Sequence, residues 1–209
     1  MELAEIGRQF VEGIKQTGWL EAVAVVSGIA SVWFSKKENI LVYPVGLVNT
    51  TFYTYLSFNS HLLGEAAVNL YYTIVSLWGW YLWSNKDAHK RPLLHISFSN
   101  RKQVAYQVAF FVVLYATIFL LLTYLKKGFA SGAIPWADGL ASAAAFTGMY
   151  LMAKKKVESW YWWIITNIAS IPLYFVKGFV FTSVYYLILL LLAFSGLHSW
   201  KNKARHGRA

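Results

Sequence analysis

The chain is divided into seven apolar runs, each close to the ~20 residues that a helix needs to cross a hydrocarbon layer. They cover about 18–35, 40–58, 63–84, 104–125, 134–153, 158–175 and 179–200. Only 13% of the 209 residues are charged and 57% are hydrophobic, where a soluble domain carries about 25% charged residues. This pattern predicts an all-α integral membrane protein of seven transmembrane helices. The second run is the most interrupted, by Pro44, Gly46 and Asn49, and polar or broken spans are often functional. Before the first run, residues 1–17 hold no continuous apolar stretch of the kind a cleavable signal carries. Leu3, Ile6, Phe10 and Ile14 share a face there, with Glu5, Arg8, Glu12 and Lys15 between them. The segment reads as an interfacial helix lying on the membrane, with a frayed polar tail as the alternative.

The net charge of +10 does not point to nucleic acid, because the basic residues sit in short clusters flanking the runs, as membrane anchors do. With seven spans, 14 of the 19 Lys and Arg residues fall on one side and five on the other. By the positive-inside rule the richer side is cytoplasmic. That puts the N-terminus outside and the C-terminus inside.

The chain also matches itself at a spacing of about 117 residues. Trp19 pairs with Trp136, Glu21 with Asp138, Gly79 with Gly196 and Trp83 with Trp200. A spacing of 118 pairs Lys36 and Lys37 with Lys154 and Lys155, Tyr43 with Tyr161, and Asn49 with Asn167. Spans 1–3 (18–84) thus repeat as spans 5–7 (134–200). A polar loop and the fourth span (85–125) act as cytoplasmic loop and linker helix, and 201–209 form a basic tail. A crossover helix makes the two halves parallel, a 3+1+3 layout of the kind that places substrate between repeats near the midplane.

Two polar stripes mark a candidate cavity. In the third run Glu65, Asn69, Tyr72, Ser76, Trp80 and Trp83 share one helical face, opposite Ala67, Leu70, Ile74 and Leu77. The equivalent stripe in the seventh run has faded to Thr182, Tyr186, Leu189, Ala193 and Leu197, which favours a one-sided ligand contact over a shared structural role. In the sixth run Trp160, Trp163, Asn167, Ser170 and Tyr174 share a face. Asn167 either hydrogen-bonds a ligand or holds two helices together, and its match to Asn49 keeps both readings open. Trp160 and Trp162 read as interfacial belt residues, and belt is an alternative for Trp80. Gln107 is a buried amide candidate in the fourth run. Glu21 and Asp138 read first as capping or snorkelling groups. With Glu65 they are the carboxylates nearest a central cavity, where acids beside aromatic faces suit a cationic ligand. The candidate substrate-binding set is Asn167, Tyr174, Ser170, Trp163, Trp80, Tyr72, Asn69, Ser76, Asn49, Gln107 and Glu65.

Catalytic and cofactor signatures are missing from the sequence. It contains no GxxxxGK[ST] loop, no HExxH, no GxSxG and no cysteine, so no ATPase, metal, elbow-serine or thiol chemistry is indicated. The chain is read as a non-enzyme without a cofactor.

The 3+1+3 layout, the WGWYLW string (Trp78 to Trp83) and NxxxIPLYxxKGxxxTSxxY (Asn167 to Tyr186) resemble the Pnu family of bacterial vitamin transporters. Sugar transporters of the SWEET type share the layout alone. The resemblance implies an inner-membrane facilitator of a small vitamin, trapped inside by phosphorylation, in a fold whose relatives often form homotrimers. The family's nicotinamide riboside members carry WxxWxxW in span 3 and an Asn followed one turn on by Trp in span 6. Here the first reads Leu77-Trp80-Trp83, and Ser170-Ile171-Pro172 follows Asn167. These departures lean the expectation to thiamine, with nicotinamide riboside as the alternative. A non-transporting sensor is a further alternative. Proton coupling through Glu21 or Asp138 ranks lower, since both lie near span ends.

Overall fold

Each apolar run becomes one helix in a computed structural model of the protein, which describes residues 3–16, 18–59, 63–126, 128 and 132–206. The order is α1 (Leu3–Gln16), α2 (Trp19–Lys36), α3 (Val42–Asn59), α4 (Leu63–Ser84), α5 (Arg101–Leu125), α6 (Pro135–Ala153), α7 (Ser159–Val176) and α8 (Val180–His206). The interrupted second run is one continuous helix. Pro44 stands in the first turn of α3, where its missing N–H has no intrahelical partner to lose. Gly46 lets α2 approach, and Ser31 Oγ donates to the Val42 carbonyl at 2.9 Å. α5 starts three residues before its apolar run because Asn100 and Gln103 form a reciprocal capping box. The expected basic tail is helical as far as His206.

Six helices close a ring: α2 on α3, α3 on α4, α4 on α6, α6 on α7, α7 on α8, and α8 back on α2. Outside the ring, α5 packs along α6 and reaches α7 where Phe111 meets Trp162 at 4.7 Å, and α1 lies against α8. The buried face of α6 is almost all small: Ala137, Gly139, Ala141, Ala143, Ala144 and Gly148. Without a hydrophobic drive between helices in lipid, such residues let backbones come close and gain dispersion contacts. The outside is apolar instead of polar. Val113, Leu120 and Leu191 are each 64% exposed, and mean hydropathy reaches 2.5 in α5 and 2.1 in α8. That inversion of the soluble pattern suits a hydrocarbon solvent.

The largest buried side chains gather at one end of the ring, where Tyr43, Trp83, Trp160 and Trp200 form one cluster with Val157. The segment between α4 and α5 folds back on this cluster through Leu94, Ile96 and Phe98. It is tied down by Glu158, whose carboxylate accepts from Ser99 N–H at 3.0 Å and from Ser99 Oγ at 2.9 Å.

Contacts recur here at a spacing of 117. α2 and α6 end in the same cap: Glu38 N–H bonds Ser35 O and Asn39 N–H bonds Phe34 O, as Lys155 bonds Met152 O and Lys156 bonds Leu151 O. The turn residues Glu38 and Lys155 both take positive φ, 61° and 50°, and their side chains pair at 2.8 Å. Tyr43 lies on Gly79 and edge-on to Trp83, while Trp160 lies on Gly196 and edge-on to Trp200. Asn49 donates to Ala24 O at 2.7 Å, and Thr166 to Ala141 O at 3.4 Å. Two expected matches are corrected by these contacts. Trp160, not the exposed Tyr161, stands where Tyr43 does, and Thr166, not Asn167, stands where Asn49 does.

Candidate functional site

Inside the ring, next to the aromatic cluster, is a cavity of about 100 Å³. Ser31, Ser35, Tyr43 and Ser76 line it from α2, α3 and α4. From α6, α7 and α8 come Met149, Met152, Trp160, Trp163, Asn167 and Ala193. Ring closure brings these six helices together, so no local segment builds the cavity alone. Ser31 is committed to Val42 O, and Ser35 Oγ points to Met152 Sδ at 2.9 Å. Asn167 is 2% exposed, and its amide has no hydrogen-bond partner among the described residues.

An aromatic wall adjoins the cavity. Tyr72, one turn from Ser76, lies 6.3 Å from Trp163 and 6.1 Å from Phe146, centroid to centroid. Tyr71 packs on Phe146 at 4.5 Å and donates to its carbonyl at 3.1 Å. Ser170 is buried on the same face of α7 as Asn167. A further turn on, Tyr174 stacks on Tyr186 at 5.2 Å. Asn69 is half-buried, a turn before Thr73, which donates to its carbonyl at 3.0 Å. Asn167, Trp163 and Ser76 therefore share the cavity, with Tyr72 beside it.

Other expected site residues go elsewhere. Asn49 spends its amide on Ala24 O, which makes it a helix-to-helix bond. Gln107 donates to Ser99 Oγ at 2.6 Å, which ties α5 to the preceding segment. Trp80 is on an exposed face, because it stands at the edge of the polar stripe and beyond the ring's inner wall. Its neighbour Trp78 stacks on Tyr150 at 5.7 Å. The Glu65 side chain is outside the described residues. The other two expected carboxylates, Asp138 and Glu21, do not line the cavity. Asp138 accepts from Ile134 N–H at 2.6 Å and pairs with Lys177 at 2.7 Å, so it caps α6. Glu21 is at the same end, away from the lining.

Tyr43 was not among the expected site residues. Trp160, expected in an interfacial belt, is 1% exposed. The signal was present: Gly79 and Gly196 already pair at 117, and the bulky residues that fill the space over them, 43 and 160, pair at the same spacing.

Chemically, the cavity offers an amide, hydroxyls, two indoles and thioethers within an aromatic surround. Among the described residues no charged side chain lines it. It suits a flat heterocycle carrying neutral hydrogen-bonding groups, with any positive charge met by ring faces. A larger groove, about 390 Å³, opens on the outside between α2 and α8 and is lined by residues such as Val26, Ile29 and Leu192. It is apolar and faces the hydrocarbon, so it offers nothing to orient a polar solute.

Comparison with known proteins gives consistent matches. Residues 18–202 match the family model described as nicotinamide mononucleotide transporter. The chain is 25% identical over 210 residues to the nicotinamide riboside transporter PnuC of Escherichia coli (strain K12), covering 90% of this chain and 87% of that protein. It is 24% identical over 191 residues to the riboflavin/roseoflavin transporter RibM of Streptomyces davaonensis, covering 90% and 86%. A crystal structure of the vitamin B3 transporter PnuC superposes with a TM-score of 0.71 at 25% identity, over 98% of this chain and 90% of that one.

Proposed function

Because this chain belongs to the nicotinamide mononucleotide transporter family, the Pnu family of vitamin transporters, we propose that it carries nicotinamide riboside across a bacterial inner membrane. The observation that carries this reading is the buried, unpartnered amide of Asn167 facing a cavity walled by both halves of the ring, beside Trp163 and Ser76. A carboxamide or ribose hydroxyl of the vitamin would pair with that amide, and its pyridinium ring would lie against Trp163 and Tyr72. Ser170, Tyr174 and Asn69 extend the lining along the path from the cavity. The leaning to thiamine rested on two motif departures and finds no support among the relatives, which are named for nicotinamide riboside and riboflavin. Riboflavin is the second reading, favoured by the match to RibM.

The proposed architecture is a 3+1+3 parallel repeat, α2–α4 and α6–α8 with α5 as crossover. The contacts that recur at 117 support it. Alternating access then comes from rocking of one half against the other, with the Lys- and Arg-rich end toward the cytoplasm. With no Asp, Glu, His, Lys or Arg in the cavity lining among the described residues, transport runs as facilitated diffusion, drawn forward by phosphorylation of the arriving vitamin.

The test is counterflow of labelled nicotinamide riboside in proteoliposomes, together with melting of the purified protein against nicotinamide riboside, riboflavin and thiamine. A ligand that binds the native state raises the melting temperature. Exchange and stabilisation by nicotinamide riboside are expected. Stabilisation without exchange would leave a sensor instead of a transporter, and stabilisation by riboflavin alone would select the second reading.

A further inference from the structure

Two side chains that line the cavity each carry a buried polar atom with no hydrogen-bond partner among the described residues: the hydroxyl of Tyr43 and the indole N–H of Trp160. The residues are 2% and 1% exposed. More than nine in ten buried polar groups in native proteins find a partner, so two orphans lining one cavity call for a physical reason. Neither ring is placed to find a partner within the fold. Tyr43 is set edge-on to Trp83 at 5.2 Å and held against Gly79, where a Cβ would lie 2.5 Å from Oη. Trp160 is set edge-on to Trp200 at 5.5 Å and held against Gly196. The two stand at a spacing of 117, one from each half, so the ring presents an orphan from both sides.

We propose that Tyr43 Oη and Trp160 Nε1 are ligand-binding groups, which hydrogen-bond the transported vitamin when it occupies the cavity. Their chemistry specifies what they take. An indole N–H only donates, so Trp160 requires an acceptor such as a carboxamide oxygen or a ribose hydroxyl oxygen. A phenol both donates and accepts, and so does the Asn167 amide opposite. Together they match a ligand with a neutral carboxamide on an aromatic ring and hydroxyls on an attached sugar. Rings pinned by packing lose no side-chain freedom when the ligand arrives, so the orphan state is a pre-organised one. The inference rests on the reading above that the vitamin enters this cavity.

Tyr43→Phe removes one atom and keeps the ring on Gly79 and Trp83. Because no internal bond is lost, the ligand-free protein should melt at the same temperature or higher. Its Kd for nicotinamide riboside should rise about tenfold, the worth of one hydrogen bond. At position 160 a truncation could unfold the cluster. Site-specific incorporation of benzothienylalanine, which replaces the N–H by sulfur, is therefore the second variant, with the same expectation. Tyr81→Phe, on the exposed side of α4, is the control. If the unaltered protein binds nicotinamide riboside and both variants bind it within twofold of that value, the proposal is overturned while the transport reading stands. A fall of several degrees in the ligand-free melting temperature of Tyr43→Phe would show an internal partner and would also overturn it. If the unaltered protein binds neither nicotinamide riboside nor riboflavin, both readings fail together.

Discussion

Trp83 and Trp200 pack 6.1 Å apart at the end of the ring, and each donates its indole N–H to the end of a neighbouring helix. Trp83 bonds Ala153 O at 3.1 Å at the end of α6, and Trp200 bonds Ser35 O at 3.0 Å at the end of α2. The pair closes this end of the ring, since α4 holds the last turn of α6 and α8 holds the last turn of α2. Trp83→Phe and Trp200→Phe should each cost about 2–4 kcal/mol, from a lost bond to a buried carbonyl plus lost packing. Thermal melting in detergent would measure this. The two are in contact, so a double-mutant cycle should depart from additivity. Strict additivity would argue against a coupled closure.

Glycine at 79 and 196 is dictated by close approach. An alanine at 196 would put its Cβ into the Trp160 ring, which is fully buried and has no room to move. Overpacking of this kind costs about 1–3 kcal/mol. Gly196→Ala and Gly79→Ala should both lower the melting temperature, whereas Gly132→Ala, with nothing within 4 Å, should leave it unchanged. Equal tolerance at all three positions would contradict the packing.

Glu38 pairs with Lys155 at 2.8 Å and with Lys203 at 3.1 Å, which joins the α2–α3 turn to α8 and to the turn after α6. Burial pushes its carboxyl up, but the two ammonium groups outweigh that and hold it below the ordinary value of 4.5. A carboxyl depressed in the folded state adds stability above the unfolded-state pKa and loses it as pH falls through the folded one. Melting temperature should therefore drop as pH is lowered below about 4.5, and Glu38→Gln should flatten that drop. The variant also leaves Lys155, with 5% of its side chain exposed, facing an uncharged amide. At neutral pH it should therefore lose roughly 1–3 kcal/mol, after allowing for solvent screening of the partly exposed Glu38. A pH profile unchanged by the substitution would remove Glu38 as its source.

Asn49 and Asn167 should separate stability from binding. Asn49→Leu removes the side-chain bond that joins α3 to the Ala24 carbonyl of α2, which still accepts from Ser27 Oγ at 2.9 Å, so the protein should melt lower, by about 1 kcal/mol, at unaltered affinity. Asn167→Ala breaks no internal bond, so the ligand-free protein should change little while nicotinamide riboside binding weakens about tenfold. Titration calorimetry and melting on both variants give the comparison. The opposite assignment of effects would make Asn167 the structural amide.

Seven runs of span length were enough to place the helices of the ring to within about three residues at most ends, because a backbone in hydrocarbon must satisfy its hydrogen bonds within the segment and the helix is the local solution. The polar faces of α4 and α7 were legible for the same reason: helical periodicity assigns neighbours on a face from the sequence alone. The interior ends of those faces, Ser76, Trp163 and Asn167, do reach the cavity. Trp80 does not, because whether a position at the stripe's edge faces inward depends on how α4 is rotated against α3 and α6. Gln107 and Asn49 look like free amides in sequence, but tertiary neighbours supply their partners, Ser99 Oγ and Ala24 O.

Hydrophobicity and periodicity, properties of each segment by itself, thus determined the all-helical membrane character, the spans and two of the cavity's walls. Only the tertiary structure decided which residues share the cavity, that Asn49 is matched by Thr166 and leaves Asn167 free, and that Tyr43 and Trp160 are orphaned beside it. Those facts depend on how the helices approach across the ring, at Gly79 and Gly196 above all, and a difference of one residue between spacings of 117 and 118 turns a side chain by about 100° around its helix.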